Sequence, residues 1–207
     1  MENQLLRKPR VLCLHSFRSS GKIFEEQTQI WPEFVREKMD LVFIDALFPA
    51  GGLKELGSEE EFDPHYEWFQ SNQDFSEHKN FDECIAFIED CMTRMGPFDG
   101  LMGFSQGVAL TSVPKIKFVI LISGGKFGGS MFSSPKLAQN AFSSPIQCPS
   151  LHLFGEKDIA KSNAIEQLDS FVDPFVIHHP EGHVVPKLDE KGSEIMLKFI
   201  EKVQKQL

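Results

Sequence analysis

Leu101-Met102-Gly103-Phe104-Ser105-Gln106-Gly107 contains G-x-S-x-G, with an apolar run before it and small residues after it. This pattern predicts a buried strand that turns sharply onto a serine and runs straight into a helix. Gly103 and Gly107 leave room for the strained turn and for close strand–helix packing. Gln106 then offers its backbone N–H at a helix start, where N–H groups lack intrahelical partners and attract negative charge. Three fixed residues at about 7% each recur by chance in about one chain of this length in fifteen, so the motif carries weight only through its context.

That context is a series of short apolar runs alternating with helical periods. Residues 10–15, 41–47, 98–104, 117–123, 150–154 and 175–178 read as buried strands. Apolar spacing near 3.6 predicts helices over 23–35 (with Pro32 as a kink), 81–95, 160–171 and 195–203. Apolar strands alternating with helices imply one doubly wound, mostly parallel sheet covered on both faces. The whole chain, 1–207, reads as a single α/β domain with no internal repeat or linker. Residues 53–80 lack a sustained period and hold Glu59-Glu60-Glu61 and the aromatics Tyr66, Trp68 and Phe69, so they read as a lid-like insertion. Residues 124–150, rich in Gly, Ser and Pro, match neither a P-loop nor G-x-G-x-x-G and read as a loop without a phosphate role.

Composition narrows the function classes. The chain of 207 residues carries a net charge of −9 and no Lys/Arg cluster, which argues against nucleic acid as a partner. No run of 18 apolar residues offers a membrane span. Residues 1–9 are polar, without the apolar stretch of a secretory signal, and no N-x-[ST] sequon occurs, so the expected location is cytoplasmic. Cys13, Cys84, Cys91 and Cys148 show no C-x-x-C spacing and read as reduced thiols. Twenty phenylalanines, against two Trp and one Tyr, suit either aromatic core packing or an apolar pocket.

A serine hydroxyl needs a histidine to take its proton and an acid to orient that histidine. In open α/β sheets, sites form beyond the carboxyl ends of strands. Ser105, Asp158 and His183 each follow a predicted strand, in the order Ser–Asp–His. The bland alternatives are a structural turn serine, a helix cap at Asp158 and an ordinary loop histidine at 183. His178 and His179 compete for the histidine role. His179-x-Glu181 lacks the P-C-x-x-C partner of a zinc deaminase, so no metal is expected. A second oxyanion donor should come from the loop after the first strand: the backbone N–H of Phe17, with Ser16 as the close alternative, beside that of Gln106. His15, Ser16, Arg18, Tyr66, Trp68 and Phe69 are the candidates for contact with substrate.

At these residues the chain resembles the FSH family of serine hydrolases. The resemblance rests on Leu12-Cys13-Leu14-His15 with Phe17-Arg18-Ser19-Ser20-Gly21, on residues 45–49 and on Tyr66-Glu67-Trp68-Phe69. It continues through residues 96–107, Ile122-Ser123-Gly124-Gly125, Gly155-Glu156-Lys157-Asp158 and Gly182-His183. It implies an α/β-hydrolase fold, a Ser105–Asp158–His183 triad, cleavage of carboxylic esters with an apolar acyl group, and no cofactor. A thioesterase would share the same triad. Two departures stand out. Ser16 replaces a glycine usual in the family, placing a Cβ against the oxyanion loop. Only residues 106–113 separate the elbow from Pro114, about 12 Å of helix where a longer one is usual. A shortened crossover of this kind predicts a weakened elbow, and with it the alternative of a catalytically impaired hydrolase-fold binding protein or a poorly folding shortened variant.

Overall fold

Val11, Leu12, Cys13 and Leu14 have no exposed surface at all. They belong to β1 (Arg10–Leu14), and side chains of a strand alternate between faces, so this one strand serves two cores. Val11 and Cys13 join a cluster with Phe24, Met102, Phe104, Ile120, Leu153, Met196 and Phe199. Leu12 and Leu14 join the other, with Phe81, Ile85, Ile88, Leu101, Val119 and Leu121. A sheet covered on both faces is why the strands read as continuous apolar runs.

The computed structural model describes residues 7–50, 65–111 and 115–207. In chain order, β1 is followed by α1 (Gly21–Thr28), α2 (Glu33–Arg36), β2 (Asp40–Ile44), β3 (Phe48–Pro49), β4 (Tyr66–Glu67), β5 (Gln70–Ser71) and β6 (His78–Lys79). Then come α3 (Phe81–Met95), β7 (Gly100–Phe104), α4 (Gln106–Leu110), β8 (Phe118–Ile122), a 3-10 turn Lys136–Ala138 and β9 (Ser150–Gly155). The chain ends with α5 (Lys161–Leu168), β10 (Phe175–His179) and α6 (Glu190–Gln204). Six strands form one sheet in the order β10-β9-β8-β7-β1-β2, every neighbouring pair parallel. With helices on both faces, this is the doubly wound α/β-hydrolase fold.

Helix ends follow their caps. Ser20 Oγ accepts from Ile23 N–H at the start of α1, and Asp189 accepts from Gly192 N–H at the start of α6. The single kinked helix expected over 23–35 is instead two, α1 and α2, divided at residues 29–32. Thr28 turns its hydroxyl back to Glu25 O, Pro32 supplies no N–H, and Trp31 leaves the helical path to bury its indole, whose Nε1 donates to Pro186 O at 3.0 Å.

The crossover after β7 is as short as the sequence implies. The helix keeps five residues, with Thr111 at its C-cap, and residues 112–114 lie outside the described residues. Residues 105–117 nevertheless bring the chain back to a parallel β8 in register, Gly100 opposite Phe118 and Phe104 opposite Ile122. Thirteen residues meet the dozen or so that a parallel crossover requires.

Of the expected lid-like insertion, residues 53–64 lie outside the described residues. Residues 65–80 supply β4, which pairs antiparallel with β3, and the antiparallel ladder of β5 with β6. Among the described residues no helix is long and apolar enough to cross a membrane.

Candidate active site

Gly103 and Gly107 meet at the turn after β7. A Cβ on Gly107 would sit 2.1 Å from Leu14 O, and one on Gly103 would sit 2.6 Å from the backbone of Gly107. Both positions therefore exclude any side chain. Between them Ser105 adopts φ 53°, ψ −111°, a conformation unusual for a residue with a Cβ. Its N–H donates to Ile122 O at 2.9 Å, which ties the strained turn to the neighbouring strand.

Three strand ends converge here. Ser105 follows β7, Asp158 lies three residues past β9, and His183 lies four past β10. His183 Nε2 is 2.8 Å from Ser105 Oγ, and its Nδ1 is 2.8 Å from Asp158 Oδ1. The imidazole also lies against the ring of Phe104, with centroids 5.4 Å apart. The Asp158 side chain is fully buried and also accepts Ala160 N–H at 2.8 Å. Burial pushes its carboxyl up, but Ser123, the Ala160 N–H and His183 outweigh burial and hold it below the ordinary value. The Asp158 Oδ2 and Ser123 Oγ atoms make no hydrogen bond of ordinary length, so this second support is the looser one. The competing histidines stand elsewhere: His178 packs against Phe154, and His179 is buried, its ring nitrogens without a hydrogen bond and its Nδ1 3.9 Å from Glu181 Oε2.

A cavity of about 570 Å³ opens beside Ser105 and His183. Phe17 and Gln106 both line it, and among the described residues neither backbone N–H donates to another protein group. Part of the wall is aromatic: Phe69 and Phe75 from residues 65–80, and Phe127 and Phe132 from residues 124–149. The two walls are joined. His78 Nδ1 meets Ser71 Oγ at 2.7 Å, its Nε2 meets Ser133 O at 3.1 Å, and Phe75 packs edge-on to Phe132.

The expected substrate contacts divide. Phe69 lines the cavity, but His15 and Trp68 do not. Both are fully buried behind it, rings 4.9 Å apart, because their polar atoms are spent inside the protein. His15 Nε2 accepts Ala46 N–H, its Nδ1 lies 2.7 Å from Ser16 O, and Trp68 Nε1 donates to His15 O. Burial lowers the His15 pKa, and an Nε2 that accepts an N–H belongs to the neutral ring. Tyr66 pairs with Pro49 in a ladder and with Ser19, Ser16 is half-buried, and Arg18 is exposed over the Phe17 ring; none of the three lines the cavity.

The loop over 124–149 supplies two phenylalanines that sequence reading did not place; the chain's overall excess of Phe was a signal without a position. Among the described residues no group of His, Cys, Asp and Glu is arranged to hold a metal ion.

Comparison with known proteins finds esterases. Human esterase OVCA2 is 28% identical, over 94% of this chain and 96% of its own length. The Caenorhabditis elegans esterase C25G4.2 is 29% identical, over 91% of each. Among solved structures, esterase PE8 superposes with a TM-score of 0.60 at 20% identity (95% of this chain, 93% of that one). A Mesorhizobium loti carboxylesterase superposes at 0.61 with 14% identity (93% and 88%). The profile of the serine hydrolase (FSH1) family matches residues 1–195, and the chain belongs to that family.

Proposed function

We propose that the protein is a carboxylic-ester hydrolase that works through a Ser105–His183–Asp158 triad and an acyl-enzyme. The observation that carries this reading is the unbroken hydrogen-bonded chain from Ser105 Oγ through His183 to a buried Asp158, opening onto an apolar cavity. His183 Nε2 takes the Ser105 proton as Oγ attacks the ester carbonyl, and Asp158 holds the Nδ1–H and stabilises the imidazolium. The Phe17 and Gln106 N–H groups receive the oxyanion. Collapse breaks the C–O bond, and the alcohol leaves with the proton from His183. Water, deprotonated by His183, then attacks the acyl carbon; the acid departs and Ser105 recovers its proton.

The substrate is a small ester with an apolar acyl group, which the phenylalanine-lined wall supports. The steps require no cofactor. The four cysteines are free, which supports the cytoplasm as the place of action. A thioester would enter the same steps. The five-residue α4 favours one rival reading, a hydrolase-fold binder without turnover.

A fluorophosphonate probe separates the two. Labelling of the native protein that disappears in Ser105→Ala supports the hydrolase. A cooperatively folded native protein that takes no label rejects it. Initial rates on p-nitrophenyl esters and matched thioesters then rank the two leaving groups.

A further inference from the structure

Outside Ser105 and His183, the polar residues that line the cavity are Ser71, Gln106, Ser123 and Asn163. Three of these have visible employment. Ser71 Oγ meets His78 Nδ1, both ends of the Gln106 amide are bonded to the backbone of Trp68 and Phe69, and Ser123 stands by the Asp158 carboxyl.

Asn163 has none. It is only 7% exposed, and among the described residues its side-chain amide makes no hydrogen bond. Its amide atoms are not sealed in the protein interior, and the cavity is the space it borders. Nor does it cap its helix. It is the third residue of α5, whose start is at Ala160, and the acceptor for Ala160 N–H is Asp158. Its place is closely fitted: a Cβ on Gly125 would fall 2.8 Å from Asn163 Cβ, so the 123–125 turn packs directly on this side chain. Asparagine is a poor helix former and this amide bonds no protein group among the described residues, so neither helix nor core accounts for it.

We propose that Asn163 is a specificity-determining residue that hydrogen-bonds an uncharged oxygen substituent on the acyl chain. The substrate class is therefore hydroxy- or oxo-acyl esters rather than plain alkanoates. This rests on the ester-hydrolase reading of the same cavity. The chemistry selects the substituent. A carboxamide donates and accepts at once, which suits a hydroxyl or a ketone. No Lys or Arg lines the described cavity and the protein carries a net charge of −9, so a carboxylate finds no counter-charge there. The phenylalanines receive the rest of the chain. A site built to bond a substrate hydroxyl discriminates against the analogue lacking it, because the site's own group is then left unpaired.

The test compares p-nitrophenyl octanoate with its 3-, 5- and 7-hydroxy derivatives on native protein, Asn163→Leu and Asn163→Ala. Leucine matches the asparagine shape without its hydrogen bonds, and alanine serves if leucine impairs folding. The expected result is at least one hydroxylated ester favoured about tenfold in kcat/KM by the native protein, with that preference lost in both variants while octanoate turnover holds or rises. Turnover with no preference at any position, or a preference that survives both variants, overturns the inference and leaves the ester-hydrolase reading standing. If the native protein cleaves no ester, that reading fails by itself. Calorimetry on Ser105→Ala with plain and hydroxylated octanamides then decides this one: a hydroxyl preference abolished by Asn163→Leu supports it, and equal binding rejects it.

Discussion

Gln106 Nε2 donates to the carbonyl of Phe69 at 2.8 Å, and from the other end of the same amide Oε1 accepts the N–H of Trp68 at 3.0 Å. The residue after the elbow serine thus holds a wall of the cavity with its side chain, while its backbone N–H faces the proposed oxyanion. Phe69 is buried against Phe81 and Phe127, so the clasp sets where the acyl chain lies. Gln106→Ala should raise KM for octanoate-length esters about tenfold and leave KM for acetate esters nearly unchanged. Two lost hydrogen bonds should also cost about 2 kcal/mol of stability. Steady-state rates across a chain-length series check this; an equal rise at every length would show that the clasp does not shape the acyl wall.

Asp158→Asn keeps the shape of the acid but presents an amide to His183, which favours the wrong tautomer. The expected loss is about 10⁴-fold in kcat with KM little changed. Melting curves confirm that the variant folds. A loss under tenfold would mean that Asp158 merely supports the loop.

Trp31 anchors the segment that bears His183. Its indole crosses the body of the protein to donate to Pro186 O, a partner 155 residues away in sequence. Trp31→Phe leaves that buried carbonyl unpaired. It should lower the melting temperature by about 5 °C, equivalent to about 1–2 kcal/mol, and reduce kcat several-fold through a looser His183. A full melting shift with unaltered kcat would restrict Trp31 to stability alone.

Buried imidazoles make stability depend on pH. Burial pushes His152 down to about 3, and it also lowers the pKa of His15, His78 and His179. The unfolded chain protonates these rings as pH falls through about 6.5, whereas the folded protein does so only further down. Between those values the unfolded state binds more protons, so stability declines as pH drops from 7 towards 5. His152 alone should contribute about 2 kcal/mol of that decline at pH 5. His152→Leu should flatten the dependence of melting temperature on pH over this range, and an unchanged slope would count against it.

The sheet and the convergence of Ser105, Asp158 and His183 were legible because each lies next to an apolar run whose end the sequence marks. Trp68 was misread for a physical reason. An aromatic cluster in an aperiodic segment looks the same whether it lines a pocket or plugs the space behind one, and only its bond to His15 O decides. Phe127, Phe132 and Asn163 were missed because nothing local marks them. Their place in the cavity wall comes from packing between distant segments. Nor did anything in the sequence mark that the elbow over the shortened crossover is tied to β8 as well as to the helix.

That support has a bearing on synthesis. The backbone of Ser105 is fastened by Ile122, seventeen residues further on, and its hydroxyl finds an imidazole only at His183, 78 residues on. A chain emerging from the ribosome therefore displays Ser105 long before anything can hold its shape or draw away its proton. On the proposed triad, Ser105 gains its base only when the segment bearing His183 has docked.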